Sequence, residues 1–281
     1  MSRIFSSWYD EASDSDSESD SGDSLVSGPC SSLTSRFDTD ELIDTCENCG
    51  QFYAKCCLHR GTCHHSHIVF TDGACMNNGT YGSVSGIGIA FGRPEGLPET
   101  GQSYQFSISV DDGLDPGERR TNQRAELLAA LHGLKKICEQ DEEEFLEKME
   151  EYGGDHLDSD ASEIVITMDS QYVVKGMTEW LPRWKVCTIN GVPATLVLTL
   201  LFQIIKENGF RKSNGERPSN LDLFLDLEAA IKTCQYQYGC NVEFWKIERR
   251  FNSIADELAK HAARIGSGQT THDFSGLAIA F

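Results

Sequence analysis

The sequence predicts an α/β domain in which helices cover the faces of a mixed β-sheet. Three observations carry this: three strand-like segments open the domain, a strongly periodic helix follows, and strands and helices alternate thereafter. The first strand signal is Ile-Val-Phe-Thr at 68–71, followed by the turn signals Asp72-Gly73 and Asn77-Asn78-Gly79. Gly86 to Phe91 and Tyr104 to Val110 read as two more strands, so an antiparallel meander is expected. A helix is predicted from Asn122 to Cys138, where Leu127, Leu128, Leu131, Leu134 and Ile137 recur at helical spacing. Glu126 shares a face with Ala130 and Gly133, small residues that let a helix approach a sheet closely. Glu163 to Met168 is the fourth strand, ended by Asp169-Ser170, either of which can cap a helix running to about Trp180. Leu221 to Thr233 reads as a helix and Asn241 to Ile247 as the fifth strand. Ser253 is expected to cap a last helix carrying Ile254, Leu258, Ala262 and Ile265.

A chain of 281 residues with 39% apolar content can bury one sizeable core with appendages. Its net charge of -20 argues at first against a nucleic-acid partner, because phosphate backbones reward basic surfaces. The distribution reverses that impression. Residues 1–45 hold eleven acids against Arg3 and Arg36, and residues 139–163 hold twelve against Lys148, so the remainder is neutral. The Ser- and Asp-rich segment 1–45 is read as a disordered, solubilising tail, and 266–281 as a C-terminal tail. Eleven cysteines, an odd count, and no apolar stretch within Met1 to Asp10 point to a reducing intracellular compartment, nucleus and cytoplasm being undivided. No apolar run is long enough to span a bilayer; the nearest, Ala194 to Ile205, carries Thr and Gln.

Four acids stand at comparable places: Asp72 at the end of the first strand, Asp169 at the end of the fourth, Glu126 and Asp256 on helices that must cover the sheet. Singly, each has a bland explanation as a turn, cap or first-turn residue. Together they lie in FTDGAC (70–75), TNQRAELLAAL (121–131), ITMDSQYVVKGMTEW (166–180) and NSIADELAKHAA (252–263). In that order these segments resemble the four acidic motifs of the type 1 ribonuclease H family, in a fungal-like form with an acidic N-terminal extension. The resemblance covers residues 67–265, with insertions at 139–163 and 186–206. It implies a five-stranded mixed sheet flanked by helices, and hydrolysis of the RNA strand of an RNA–DNA hybrid to 5′-phosphate and 3′-hydroxyl ends by a monomer. It also implies two Mg²⁺ ions, or Mn²⁺, held by Asp72, Glu126, Asp169 and Asp256. By family precedent Asp72 bridges both ions, Asp256 serves the ion that activates water, and Glu126 and Asp169 serve the leaving-group side. Carboxylates crowded in this way repel one another unless a divalent cation compensates them. The alternative is a catalytically inactive nucleic-acid-binding protein of the same fold.

The same resemblance assigns substrate contacts to Cys75, Asn78, Asn122, Gln123 and Gln171, set against plain turn and capping chemistry. Tyr172 and Trp184 resemble residues lining the DNA-strand channel, while Trp180 is expected to be largely packing. One departure is the segment KIERRFN (246–252), which lacks the histidine that many relatives carry before the last helix; Arg249 or Arg250 could aid a phosphate there but cannot act as a base. The pH profile is therefore expected to lack a histidine limb, His261 included. A Cys/His-rich stretch, 46–66, precedes the domain. Cys46 and Cys49, with Cys56 or Cys57 and His59, Cys63 or His64, have spacings that suit tetrahedral Zn²⁺; the alternative is a linker with reduced, unliganded thiols.

The second departure is the apolar stretch 186–206. Its deletion joins RWK to ENGFRKSNGERPSNLDL, a basic turn followed by a helix; Val186-Cys187 can be encoded by GTATGT and Leu198-Thr199 by a CTNAC sequence, as in a retained intron. The competing expectation is a genuine helix from Ala194 to Lys206. Sequencing of the mature transcript is expected to show these codons removed, and their presence disposes of the intron.

Overall fold

In the computed structural model, the chain is described for residues 31–55, 64–94, 103–152, 163–185, 188–189, 192–193, 210–212 and 215–268. The sheet is built on strand β3 (Ser66–Met76), which pairs antiparallel with β4 (Val84–Ala90) and parallel with β6 (Glu163–Met168). Beyond β4 lies β5 (Gln105–Val110), antiparallel; beyond β6 lies β7 (Asn241–Lys246), parallel. These are the five strands that the alternation of apolar residues predicts.

Two further strands come from residues read as acidic tail and Cys/His-rich segment. β1 (Ile43–Thr45) and β2 (Phe52–Ala54) form a hairpin, and β2 meets β3 at Tyr53–His67, where β4 no longer covers that edge. The sheet is therefore seven-stranded. The composition of the acidic run further upstream concealed this, because the hairpin depends on a few apolar side chains. Leu42, Phe52 and Ala54 are buried against Ile68, Phe70 and Trp245, contacts that help to order the segment once the sheet is present.

Alternate residues of each strand face opposite layers. Val69, Ile87, Ile89, Ile164 and Ile166 pack beneath α1 (Asn122–Tyr152), the helical run α2 from Gln171 to Lys185, and α3 (Leu221–Tyr238). The opposite face receives α4 (Ser253–Gly266), and side chains from in and around the β1–β2 hairpin extend that apolar cluster. Helix α4 sits unusually low. A Cβ at Gly88 would fall 2.1 Å from the Ala255 carbonyl oxygen, and one at Gly86 2.3 Å from the Ala263 nitrogen. Ala255, Ala259, Ala262 and Ala263 supply the matching small surface.

Helix α1 outruns its predicted end at Cys138, because the acidic insert continues the helix to Tyr152. That end lies about 39 Å along the axis from Glu126, at 1.5 Å per residue. Ser170 caps α2, accepting the Val173 N–H at 3.3 Å, and the helix widens into a π turn over Gly176–Trp180. Ser253 is not the cap of α4 but its first residue, preceded by Asn252. Of 186–206, only Thr188–Ile189 and Val192–Pro193, paired with each other, are described, and the helix expected from Ala194 lies outside the described residues. Residues 1–30 and 269–281 lie outside them too. No described helix is long and apolar enough to cross a membrane.

Arg124, on the first turn of α1, fixes how α3 meets α1. Its buried guanidinium donates to both oxygens of buried Asp115 at 2.7 and 3.0 Å and to Asp222, at the start of α3, at 2.8 Å. Removing one partner of such a pair strands a buried charge. Arg124→Ala is expected to lose about 3–5 kcal/mol in urea unfolding. Arg124→Leu combined with Asp115→Leu should recover much of the loss, and equal losses in single and double variants would contradict the assignment.

Candidate active site

The strand carrying Asp72 does not stop at Asp72-Gly73. Pairing with β4 continues through Met76–Val84 and overrides the local turn preference; the chain reverses instead at Asn77 and Gly79, both at positive φ. Asp72 thus lies inside β3, not at its end, and Gly73 beside it explains the arrangement. A Cβ on Gly73 would sit 2.2 Å from the Ala125 carbonyl carbon and the Glu126 nitrogen, so only glycine lets the first turn of α1 touch the strand. That contact carries Glu126 to Asp72. Gly133, about two turns further along the same helical face, lies against the side chains of Thr71 and Val69. Asp169 follows directly on β6, and the low seating of α4 delivers Asp256 from its first turn.

The four acids border one cavity of about 400 Å³, together with Cys75, Asn122, Arg249 and Lys260. Asp72 is 7% exposed. Burial, reinforced by the negative charges of Asp169, Asp256 and Glu126 and opposed by the Gly73 N–H, pushes its pKa up to about 8. Glu126 is likewise raised, by burial first and by Asp169, although Ser170 Oγ donates to its Oε2 at 2.6 Å. Asp256 behaves oppositely. Burial tends to raise it, but hydrogen bonds and charge from Lys260 and Arg249 prevail and hold it below the usual carboxylate range. Arg249 Nη2 donates to Asp256 at 2.7 Å, and its Nε lies 3.9 Å from Asp169.

No three of these carboxylates bring ligand oxygens within 4.8 Å of one another; among the described residues that spacing is met by Cys46, Cys49 and His64. The donor set nevertheless fits a hard divalent cation: it is all oxygen, partly desolvated, and carries a buried carboxyl whose proton a cation would displace.

The remaining expected contacts divide. Asn122 Oδ1 accepts the Cys75 N–H at 2.9 Å, and Asn78 Oδ1 accepts the Asn122 N–H at 3.0 Å, which ties the β3–β4 turn to the start of α1. Capping chemistry is therefore present, and Cys75 and Asn122 border the cavity as well. Gln123, Tyr172 and Trp184 line a second cavity of about 730 Å³ with Trp180, Arg183, Arg211 and Lys212. Trp180, expected to be packing, is half-buried against Tyr172 and also faces this cavity. Asn78 and Gln171 are exposed and line neither. His261 meets Ser107 of β5 and does not line the acidic cavity. Of the zinc candidates, the structure brings together Cys46, Cys49 and His64, whereas Cys56, Cys57, His59 and Cys63 lie outside the described residues.

Sequence reading missed Asn252 and Lys260. Asn252 is buried; its Nδ2 donates to the Thr71 carbonyl at 3.1 Å and approaches Asp169 at 3.5 Å, joining the strand beneath Asp72 to the acid that follows β6. Its place just ahead of a helix bearing an acid was the available signal. Lys260 could have been found as the i+4 partner of Asp256.

Because the folded state holds the Asp72 proton more tightly than the unfolded chain, stability is lost as pH rises from ~4 toward ~8. Asp72→Asn should therefore stabilise the metal-free protein by a few kcal/mol, roughly 2–4, at pH 8, with the gain vanishing near pH ~4. Thermal unfolding at both pH values checks this, and an equal gain at both would exclude the electrostatic cause.

A profile of the RNase H family matches residues 64–264, a range that takes in β3 through α4 and all four acids. Ribonuclease H of Schizosaccharomyces pombe is 28% identical over 72% of this chain and 54% of its own length. Ribonuclease H1 of Mus musculus is 25% identical over 73% of this chain and 51% of its own. The chain thus spans about half the length of these relatives. Among solved structures, LC11-RNase H1 in complex with an RNA/DNA hybrid shares 20% identity, with a TM-score of 0.38 over 70% of this chain and 96% of the other. On the extent of the profile match, the chain belongs to the RNase H family.

Proposed function

We propose that this chain hydrolyses the RNA strand of RNA–DNA hybrids as a metal-dependent endoribonuclease, leaving 5′-phosphate and 3′-hydroxyl ends. The observation that carries the reading is the convergence of four carboxylates, from a strand interior, a strand end and two helix starts, on one open cavity. Asp72, Glu126, Asp169 and Asp256 would hold two Mg²⁺ ions, with Mn²⁺ as a substitute. Bound there, the ions supply Lewis-acid stabilisation of the entering and leaving oxygens of an in-line displacement.

The protein's own groups do the rest. Glu126 is braced by Ser170, and Asn252 ties the Asp169 side to β3, so the donors are held before substrate arrives. Arg249, 69% exposed at its side chain, can leave its carboxylates for a phosphate oxygen at little cost. The second cavity combines stacking faces, Trp180 and Trp184, with Arg183, Arg211 and Lys212. Such a cation–aromatic groove suits the second strand of a hybrid. Cys75 and Asn122, beside the acids, are placed to sense the ribose 2′-hydroxyl of the cleaved strand.

Purified protein with labelled hybrid, duplex RNA and single strands, with Mg²⁺ or EDTA, tests the proposal. Cleavage of the RNA in the hybrid alone is expected, abolished by EDTA and reduced at least ~100-fold in Asp72→Asn. Hybrid bound tightly but left intact at saturating Mg²⁺ and Mn²⁺ would favour the non-catalytic binder and overturn the reading.

A further inference from the structure

The Cys/His segment ahead of the family match is absorbed by nothing in the active site. Between β1 and β2 the chain runs Cys46-Glu47-Asn48-Cys49-Gly50. The Cys46 N–H donates to the Gln51 carbonyl at 3.0 Å, the Gly50 N–H returns to the Cys46 carbonyl at 2.9 Å, and Gly50 has φ 74°. This tight turn needs glycine at its close and points both thiols the same way. His64, eighteen residues along from Cys46, arrives from the other side with Nε2 3.2 Å from Cys46 Sγ. The ligand atoms of Cys46, Cys49 and His64 all lie within 4.8 Å of one another. The ring of buried Tyr53 stacks on His64 at 4.5 Å, and its hydroxyl lies 3.5 Å from Cys49 Sγ, so two of the three ligands are oriented by one neighbour.

We propose that Cys46, Cys49 and His64 form a structural zinc site that clasps the β1–β2 hairpin to the start of β3. Two thiolates and an imidazole are a borderline-soft set that favours Zn²⁺ over the hard cations suited to the carboxylate cavity. Tetrahedral coordination leaves one position beyond these three ligands for a further donor. A physical need for such a clasp is visible: each strand of the hairpin has three residues, too few to hold by hydrogen bonding alone. The site is distinct from the acidic cavity, so its loss should cost stability, not chemistry.

The test uses the full chain, purified with Zn²⁺ in the medium, desalted and analysed for metal by mass spectrometry. About one Zn²⁺ per chain is expected, falling below ~0.2 in Cys46→Ser combined with Cys49→Ser. Co²⁺ added to metal-stripped wild type should give the intense visible bands and thiolate-to-metal absorption of a tetrahedral site, displaced by Zn²⁺; this readout does not require the variant to fold. Stripping the zinc should lower the midpoint of thermal unfolding and leave nuclease activity per folded molecule within ~2-fold. Wild type holding no zinc, undiminished zinc in the double variant, or an octahedral Co²⁺ spectrum would each overturn the site.

Discussion

Like charges brought together govern this molecule. Asp72 is buried beside three other acids, an arrangement that raises its pKa and that the fold must do work to keep. That work comes from packing elsewhere. Gly73 lets α1 touch the central strand, and Gly86 and Gly88 let α4 settle on its neighbour, so both helices approach more closely than Cβ atoms would allow. The acids are held by backbone proximity, which tolerates little relaxation, and so the repulsion cannot be relieved by a small shift of a helix.

The cations near the acids divide the burden unevenly. Arg249 and Lys260 both reach Asp256 and leave Asp72 almost uncompensated. One edge of the cavity is therefore near neutral while its floor favours a proton. A divalent cation entering the site would meet its strongest demand at the floor and its strongest competitor at the edge.

Much of this was legible in the sequence. Apolar residues alternating in strands and recurring at helical spacing gave five strands and the helix bearing Glu126, because both signals arise from burial and burial is what folds the chain. Errors arose where tertiary contact overrode local preference. Asp72-Gly73 reads as a turn, yet pairing with β4 keeps it in a strand; Ser253 reads as a cap, yet Asn252 holds that place because Thr71 and Asp169 lie within its reach. The hairpin at 43–54 was invisible for a different reason. Its strands are too short for any periodicity, and the stabilising contacts come from Ile68, Phe70 and Trp245, distant in the chain.

That hairpin has a practical consequence. The family match begins at residue 64, which makes it the natural place to cut when a fragment carrying the matched domain is wanted. A chain trimmed there would lose Leu42, Phe52 and Ala54 and bare the oily side of β3 at Ile68 and Phe70, next to backbone groups that had been paired with β2. An uncovered sheet margin of that kind recruits a second molecule by edge-to-edge pairing. Clumping in such a fragment would reflect the missing cover, and the matched domain itself would not be at fault.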